Sequence, residues 1–263
     1  MGRLFDDSVA IVGMGAVGRG MQTLFSDAVV FDEPLGIGTR EAVNACRFAF
    51  VCVPTPSMPS GAADTRIVEA VVGWVQSETI VLRSTVPPGT TDRIASATGK
   101  RVVFQPEYGP GSTPGHPYAD VRNIGWAILG GPPEWTQPVH DLYRRTHRAD
   151  LDIRQTDAVT AELAKYMENA FLALKVTFCN EFYDLAGALG VDYETLRDLW
   201  LLDPRMGESH TLVYPDDRGF GGPCLPKDLA AIVARAAEAG TRPTLLRAVL
   251  DVNEELRRRG PGA

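Results

Sequence analysis

The sequence has no long hydrophobic run and no excess of basic residues, and these two absences exclude two classes of partner. No apolar run reaches the roughly 20 residues that a membrane-spanning helix needs. Lys and Arg total 26 against 33 for Asp and Glu, which gives a formal charge of −7. An acidic chain is a poor match for a phosphate backbone, so we expect neither a membrane nor a nucleic acid as partner.

Cysteine and histidine are also scarce, with four of each. Neither residue type has the spacing of a metal site or of a disulfide framework, so we expect no metal. Residues 1–7 lack the apolar core of a secretory signal. These absences favour a reducing, cytoplasmic setting, in which one cysteine is chemically active and the others are structural. The cysteines are Cys46, Cys52, Cys179 and Cys224.

A glycine pattern stands near the start of the chain. Residues 8–12 form a short apolar run, and Gly13, Gly15 and Gly18 follow it in the order G-x-G-x-x-G. A second apolar run, 28–31, ends at Asp32, nineteen residues after Gly13. Strand, glycines, helix, strand and acid in this order predict a dinucleotide-binding turn, with a plain glycine-rich turn as the alternative.

Each residue of this pattern has a separate expected role. Gly13 allows the tight turn, Gly15 lets the backbone approach a pyrophosphate, and Gly18 lets the helix pack closely on the strand. The pyrophosphate would meet the free N–H groups of the helix N-terminus. Asp32 would accept hydrogen bonds from the ribose hydroxyls and repel a 2′-phosphate, which favours NAD over NADP.

Strands and helices continue to alternate over the first half of the chain. Apolar runs predict strands at 48–53, 79–82 and 102–104 and a last strand at 125–130, with helices at 64–75 and 132–147. Thr55, Thr85 and Glu107 follow the ends of three of these strands, where open α/β sheets bind ligands. The alternative for each is a loop cap or turn residue. We expect a Rossmann-type, mostly parallel sheet with helices on both faces over residues 1–152.

The second half is predicted to be helical. Residues 160–187 hold no Pro and no internal Gly, and Leu163, Met167 and Phe171 belong to an apolar stripe at helical spacing. Lys165 and Asn169 lie four apart on the opposite face, which we also expect to be buried. The alternative is a Lys whose ammonium reaches solvent and an Asn that caps a neighbour. A helix apolar on two sides predicts an all-α domain at 153–263, built around this helix and used for dimerisation.

A glycine-rich loop, 219–224, leads to Cys224, and a helix is predicted at 229–239. A cysteine just before a helix N-terminus is in a position that favours the thiolate, and Lys227 would add to this effect. The glycines before Cys224 and the charged pair after it fit a buried structural thiol poorly. We therefore expect Cys224 to be the chemically active cysteine.

Taken in order along nearly the whole chain, seven segments resemble the UDP-glucose/GDP-mannose dehydrogenase family of NAD-dependent sugar-nucleotide oxidoreductases. The segments are 13–18, 51–56 (Val-Cys-Val-Pro-Thr-Pro), 84–87 (Ser-Thr-Val-Pro), 106–107, 162–171, 203–205 (Asp-Pro-Arg) and 220–228 (Phe-Gly-Gly-Pro-Cys-Leu-Pro-Lys-Asp). The last segment, combined with the helix that carries Lys165 and Asn169, is highly specific for this family.

The resemblance implies a four-electron oxidation of a primary alcohol to a carboxylate, with two NAD⁺ used in succession. Asp228, with water near Lys165, would take the alcohol proton, and Cys224 would add to the aldehyde as a thiohemiacetal. Lys165 and Asn169 would stabilise the oxyanion. After the second oxidation, Glu107 and Thr85 would position and activate water to hydrolyse the thioester.

The resemblance also implies which residues hold the ligands. Cofactor contacts are expected from Gly13, Gly15, Ala16, Val17, Gly18, Asp32, Pro54, Thr55, Thr85 and Lys227. Substrate contacts are expected from Tyr108, Lys165, Asn169, Arg205, Phe220 and Gly221. Arg205 would touch the neighbour's substrate across a homodimer formed by the long helix, and Lys227 would approach the cofactor phosphates.

Two departures from the family pattern stand out. Family members usually carry a second Glu four residues after the position of Glu107, where this chain has Gly111 in a loop, 109–118, that we expect on the substrate side. The family also continues into a third, nucleotide-holding domain, and the sequence stops before it, so we expect a short form of the family. The substrate expected is a nucleotide sugar, a nucleoside or a related polar alcohol.

Two alternatives to the four-electron dehydrogenase stay open. One is a two-electron or redox-cycling NAD-dependent enzyme acting on a smaller or nucleoside-like alcohol, since β-hydroxyacid dehydrogenases also place a Lys and an Asn four apart on such a helix. The other is a non-catalytic NAD-binding protein.

Overall fold

A computed structural model of the protein describes residues 7–109 and 120–258. The chain divides into two compact units. The sheet unit comprises residues 1–56 and 63–165, and the helical unit comprises residues 57–62 and 166–263. Gly111 and most of the loop expected at 109–118 lie outside the described residues, so the prediction made there is not addressed by the structure.

A seven-stranded, mostly parallel sheet forms the sheet unit, in the order β2-β1-β3-β4-β5-β6-β7. The strands are β1 (Val9–Val12), β2 (Val29–Phe31), β3 (Phe48–Val51), β4 (Thr79–Leu82), β5 (Val102–Phe104), β6 (Trp126–Gly130) and β7 (Asp152–Thr156). All neighbouring strands are parallel except β5 and β6, which pair antiparallel at Phe104 and Gly130. The reversal of order on either side of β1 is that of a Rossmann-type sheet, as the alternating pattern predicted.

Helices cover both faces of this sheet, because successive side chains of each strand point to opposite faces and make both faces apolar. Ala10 and Val12 of β1 belong to one core cluster, whereas Val9 and Ile11 belong to the other. The helices of this unit are α1 (Ala16–Leu24), α2 (Arg40–Asn44), α3 (Arg66–Trp74), α4 (Thr90–Thr98) and α5 (Pro133–Thr146). Side chains of α2, α3 and α4 join the first cluster, and those of α1 and α5 join the second.

The strand at 125–130 is not the last one, and that prediction was wrong. β7 follows α5 and pairs in parallel with β6 over five residues. Its sequence, Asp-Ile-Arg-Gln-Thr, has no apolar run, because β7 lies at the edge of the sheet and none of its side chains is fully buried.

The helical unit contains the rest of α6 (Ala158–Ala188), together with α7 (Tyr193–Trp200), α8 (Leu225–Glu238) and α9 (Thr244–Arg258). α6 runs for 31 residues and passes from one unit into the other. α8 begins at Leu225 rather than at the predicted 229, so Lys227 and Asp228 lie in its first turn. Pro226 permits this early start, since a first-turn residue needs no N–H donor. Among the described residues, no helix is long and apolar enough to cross a membrane.

Candidate functional site

The glycine turn after β1 has the shape of a cradle for a dinucleotide. Gly13 has φ +96°, and a Cβ there would lie 2.7 Å from the Cys52 carbonyl oxygen. A Cβ on Gly18 would lie 1.8 Å from the Gly13 carbonyl oxygen, so helix α1 packs on the strand only with glycine here. A Cβ on Gly15, by contrast, would meet nothing within 4 Å. The space beside Gly15 is therefore open for a group to approach the N-terminus of α1.

Asp32 lies next to this turn, immediately after β2. Its Oδ2 accepts the Met14 N–H at 2.7 Å, and its Oδ1 accepts the Leu35 N–H at 3.1 Å. Each carboxylate oxygen has a second lone pair, so the side chain retains acceptors for ribose hydroxyls. The first turn of α1 has no acidic residue that would repel a pyrophosphate. Turn, helix end and carboxylate thus fit NAD.

The expected residues at the ends of β3 and β4 contact one another. Thr55 is buried, and its hydroxyl donates to the Thr85 carbonyl oxygen at 2.8 Å. Ser84 donates in the same way to the Val53 carbonyl oxygen at 2.6 Å. These bonds join the two loops that carry Pro54 and Thr85. Thr55 therefore stabilises the loop structure here, which was the alternative to ligand binding. Its predicted contact with the cofactor remains a prediction.

Glu107, after β5, has a partner that sequence reasoning missed. Arg83 directly follows β4, is 3% exposed, and forms an ion pair with Glu107 Oε2. The Gly109 N–H donates to Oε1 at 2.6 Å, so both carboxylate oxygens are held. The signal available in the sequence was a charged residue at the end of an otherwise apolar strand.

Lys165 lies on α6 and is 7% exposed, as the sequence predicted for this helix face. Its Nζ is 4.9 Å from the ring centroid of Tyr108, which is a cation–π distance. The Tyr108 ring also lies 5.7 Å from that of Trp126. The sheet unit thus brings together Lys165, Tyr108 and, beside it in sequence, Glu107.

Glu162 fixes the beginning of α6. Its buried carboxylate accepts three hydrogen bonds, from the Gly89 N–H at 2.6 Å and from the Thr91 N–H and hydroxyl at 2.8 and 2.7 Å. Burial raises the pKa of Glu162 to about 7, against the effect of these donors. The carboxylate therefore ties α6 to the N-terminus of α4, one turn before Lys165.

In the helical unit, Asn169 and Asp228 form a buried polar pair. Asn169 Nδ2 donates to Asp228 Oδ2 at 2.6 Å, and Asp228 is 1% exposed. The other oxygen of Asp228 is ion-paired with Lys227. The segments 162–171 and 220–228, which were identified separately in the sequence, are therefore in contact. The ammonium of Lys227 lies against Asp228, and its predicted approach to cofactor phosphates remains a prediction.

Cys224 is the exposed member of the four cysteines, and it occupies the N-cap position of α8. The other three are buried, and burial raises the pKa of the Cys52 thiol to about 12 and that of Cys179 above its ordinary value. None of the four is in a disulfide. Cys224 is thus the accessible thiol of the four, and its predicted chemical role remains a prediction.

The loop before Cys224 is held by two buried asparagines. Asn253 accepts the Phe220 N–H at 2.7 Å and donates to the Phe220 carbonyl oxygen at 3.1 Å. Asn180 accepts the Gly219 N–H at 3.2 Å. Gly219 has φ +75°, and a Cβ there would lie 2.5 Å from Asn253 Oδ1. Phe220 is 3% exposed, whereas Gly221 is exposed.

Arg205 is exposed and forms a two-pronged ion pair with Asp203. The loop after it is held by Lys175, whose Nζ donates to the carbonyl oxygens of Met206 and Gly207 at 2.8 and 2.5 Å. The predicted role of Arg205 at a neighbouring subunit remains a prediction. Within the part of the chain that the structure describes, no cluster of three or more His, Cys, Asp or Glu residues could hold a metal ion.

This fold and the glycine cradle define a dinucleotide-binding protein of the Rossmann type. Two models of the UDP-glucose/GDP-mannose dehydrogenase family match the chain, the NAD binding domain over residues 19–147 and the central domain over 159–255. The chain belongs to this family, and NAD is its cofactor.

Individual relatives agree with this assignment. A GDP-mannose 6-dehydrogenase of Pseudomonas putida is 32% identical over 234 residues, covering 81% of this chain and 52% of that protein. The UDP-glucose 6-dehydrogenase TuaD of Bacillus subtilis is 30% identical, over 82% of this chain and 48% of its own. The solved UDP-glucose dehydrogenase of Pyrobaculum islandicum matches with a TM-score of 0.79 at 29% identity, over 94% of this chain and 68% of its own. The chain thus spans about half the length of the curated relatives.

Proposed function

We propose that the protein oxidises a primary alcohol of a nucleotide sugar, a nucleoside or a related polar substrate to the carboxylate, through a covalent intermediate on Cys224. The observation that carries the proposal is the hydrogen bond between Asn169 and Asp228 beside the first turn of α8, whose N-cap is Cys224. An accessible thiol, an amide donor and a buried carboxylate are the groups that this chemistry needs.

The first oxidation requires a hydride acceptor and a group that takes the alcohol proton. NAD, when bound in the cradle of Gly13, Gly15 and Gly18 with its ribose on Asp32, supplies the hydride acceptor, twice for each substrate. Asp228 is the proposed proton acceptor, acting through a water near Lys165. Its buried carboxylate is held between Asn169 and Lys227.

Cys224 then adds to the aldehyde, forming an S–C bond, while the carbonyl oxygen becomes the oxyanion of a thiohemiacetal. Its position at the helix N-terminus favours the thiolate that this attack requires. Lys165 and Asn169 would each donate a hydrogen bond to the oxyanion. A single such donor is typically worth about 3 kcal/mol in the transition state.

Loss of a second hydride to NAD⁺, with loss of the hydroxyl proton, would convert the thiohemiacetal into a thioester on Cys224. Hydrolysis of this thioester completes the proposed reaction. Water attacks the carbonyl carbon, gives up a proton, and breaks the C–S bond, so that Cys224 leaves as the thiol and the product leaves as the acid. Glu107 and Thr85 would orient and activate this water. The two held oxygens of Glu107 support this role, since a fixed carboxylate presents its remaining lone pairs in one direction.

The substrate would be gripped by Tyr108, Lys165, Asn169, Arg205 and the backbone around Phe220 and Gly221. We further propose that the protein forms a homodimer through α6, which carries exposed apolar side chains along one stripe. Leu163, Met167 and Phe171 are 48, 74 and 60% exposed. A contiguous apolar stripe of this kind usually marks an interface.

Two coarser predictions complete the proposal. Residues 1–152 would act as the NAD-binding domain and residues 153–263 as the dimerisation and catalytic domain. A reducing, cytoplasmic setting suits a reaction that depends on the Cys224 thiol, because disulfides form readily in oxidising compartments.

NADH formation from UDP-glucose, GDP-mannose and simple nucleosides tests the proposal. We expect turnover of at least one of these compounds, and Cys224→Ser should stop it after the first oxidation. Cys46→Ser, which changes a buried thiol, is the matched control and should turn over normally. Turnover that survives Cys224→Ser indicates a two-electron enzyme, and tight NAD binding with no turnover of any compound indicates a binding protein.

A further inference from the structure

The ion pair between Arg83 and Glu107 is the most deeply buried one in the sheet unit among the described residues. Arg83 is 3% exposed, and the side chain of Glu107 is 14% exposed. Removing both charges from water is costly, so such a pair is weak evidence for a stabilising role. Its place at the ends of β4 and β5, where open α/β sheets bind ligands, points to a functional reason instead.

Arg83 holds more than the carboxylate. Its Nη1 donates to the Pro106 carbonyl oxygen at 3.2 Å, while its Nη2 pairs with Glu107 Oε2. One guanidinium therefore fixes both the backbone just before Glu107 and the side chain itself. Gln105 is fixed from the other side, because Tyr143 donates to its Oε1 at 2.8 Å.

The guanidinium is not saturated by these bonds. Its Nε has no hydrogen-bond partner within residues 7–109 and 120–258. A buried donor left without a partner destabilises the fold, so a purely structural side chain would be a poor choice here. Arg83 also directly precedes Ser84 and Thr85, which places its backbone in the turn that carries the proposed water-orienting hydroxyl.

We propose that Arg83 is a positioning residue for the hydrolytic step and holds the Glu107 carboxylate turned toward the attacking water. The inference rests on the hydrolytic role assigned to Glu107 in the proposed function. Arg83 would not touch the reacting atoms and would act only through Glu107. Lysine would keep the positive charge but could not hold a carbonyl and a carboxylate in one planar fork.

Deacylation of Cys224 tests this inference without the natural substrate. The full-length protein is acetylated on Cys224 with p-nitrophenyl acetate, and the loss of the acetyl group is followed by intact mass. Cys224→Ser, which should take up no acetyl group, shows that the label is on this thiol. We expect Glu107→Gln and Arg83→Met each to slow deacylation by a factor of about 10–100.

The double variant Arg83→Met/Glu107→Gln separates positioning from a general structural effect. If Arg83 acts through Glu107, the double variant is no slower than the slower single variant. Arg83→Lys should lie between the wild type and Arg83→Met. Arg144→Lys is the matched control, since Arg144 also donates to backbone carbonyl oxygens, those of Ala149 and Leu151. The Arg144→Lys variant is expected to deacylate at the wild-type rate.

Each contrary result has a distinct meaning. A normal rate in Arg83→Met beside a slow Glu107→Gln overturns the role of Arg83, and so does a double variant in which the two effects multiply. A normal rate in Glu107→Gln overturns the hydrolytic role of Glu107 in the proposed function, and the inference falls with it. If Arg83→Met yields no folded protein, Arg83→Lys decides: a rate equal to the wild type overturns the proposal, and a slower rate supports it.

Discussion

Asn169 donates a hydrogen bond to Asp228 at 2.6 Å, although the two residues lie 59 positions apart in the sequence. Asn169 is 6% exposed and Asp228 is 1% exposed, so bulk water has little access to this hydrogen bond. The bond ties α6 to the first turn of α8 in the helical unit. It sets the position of an amide donor and of a carboxylate relative to the helix that begins after Cys224.

Asn169→Ala should therefore impair catalysis more than folding. The substitution removes one proposed oxyanion donor, and we expect kcat to fall by about 100-fold or more. Asp228 keeps its ion pair with Lys227 within α8, so its buried carboxylate does not lose both of its partners. Steady-state kinetics and thermal unfolding measure the two effects. Asn123→Ala, at an exposed position, is the control, and a loss of stability without a loss of kcat would assign Asn169 to the core alone.

The glycine cradle allows a matched pair of substitutions. Gly15→Ala adds a methyl group where nothing lies within 4 Å, whereas Gly18→Ala places one 1.8 Å from the Gly13 carbonyl oxygen. We expect Gly15→Ala to fold with an unchanged melting temperature but to bind NAD at least about 10-fold more weakly, a difference of about 1.4 kcal/mol. Gly18→Ala should instead lower the melting temperature.

Calorimetric titration with NAD and thermal unfolding separate the two variants of the cradle. Normal NAD affinity in Gly15→Ala would contradict the placement of the pyrophosphate beside this residue. Equal stability of Gly18→Ala and the wild type would contradict the tight packing of α1 on β1.

How far the sequence predicts this fold depends on what each element buries. Strands buried on both faces, such as β3 (Phe48–Val51), are apolar throughout and can be recognised directly. β7 escapes recognition because its residues are mostly exposed and polar, and its existence depends on backbone pairing with β6. The start of α8 was misplaced because two prolines and a Lys-Asp pair suggested a loop, although Pro226 is compatible with a first helical turn.

The candidate site was predictable to a similar extent. Cys224, Lys165 and Asn169 were accessible to sequence reasoning because their residue types and spacing are unusual for a loop or for a buried helix face. Arg83 was not, because its burial and its pairing with Glu107 depend on β4 and β5 lying side by side. The same holds for Asn253, whose position in α9 says nothing about a loop 33 residues earlier.

Asn253 should control the reactivity of Cys224. Asn253→Ala removes both hydrogen bonds to the Phe220 backbone and releases the loop that leads to the thiol. We expect the rate of Cys224 alkylation by iodoacetamide to change at least about 3-fold, because the thiol loses its fixed position at the helix N-terminus. Asn44→Ala, in the sheet unit, should leave the rate unchanged. Equal alkylation rates in Asn253→Ala and the wild type would show that the loop does not need this clamp.

Glu162 should give the stability of the protein a measurable pH dependence. Burial raises its pKa from 4.5 to about 7, so the folded state binds more protons than the unfolded state between these values. This contribution to stability is fully present below pH 4.5 and is lost as the pH rises through about 7. Its size is on the order of 3 kcal/mol.

Urea unfolding between pH 5 and about pH 8 measures this dependence. Glu162→Gln cannot ionise, so its free energy of unfolding should fall less over this pH range than that of the wild type. Its amide fits the donors of Gly89 and Thr91 less well than the carboxylate does. Glu181→Gln, at an exposed position of the same helix, should keep the wild-type pH profile. Parallel profiles for Glu162→Gln and the wild type would show that Glu162 does not titrate in this window.

Cys224 is proposed to carry the substrate through two oxidations. This role is tested by the number of NADH molecules formed for each product molecule, with the product identified by mass. We expect a ratio of two, a carboxylate as the product, and no aldehyde released by the wild type. A ratio of one, with an aldehyde accumulating and Cys224→Ser turning over at the wild-type rate, would contradict it.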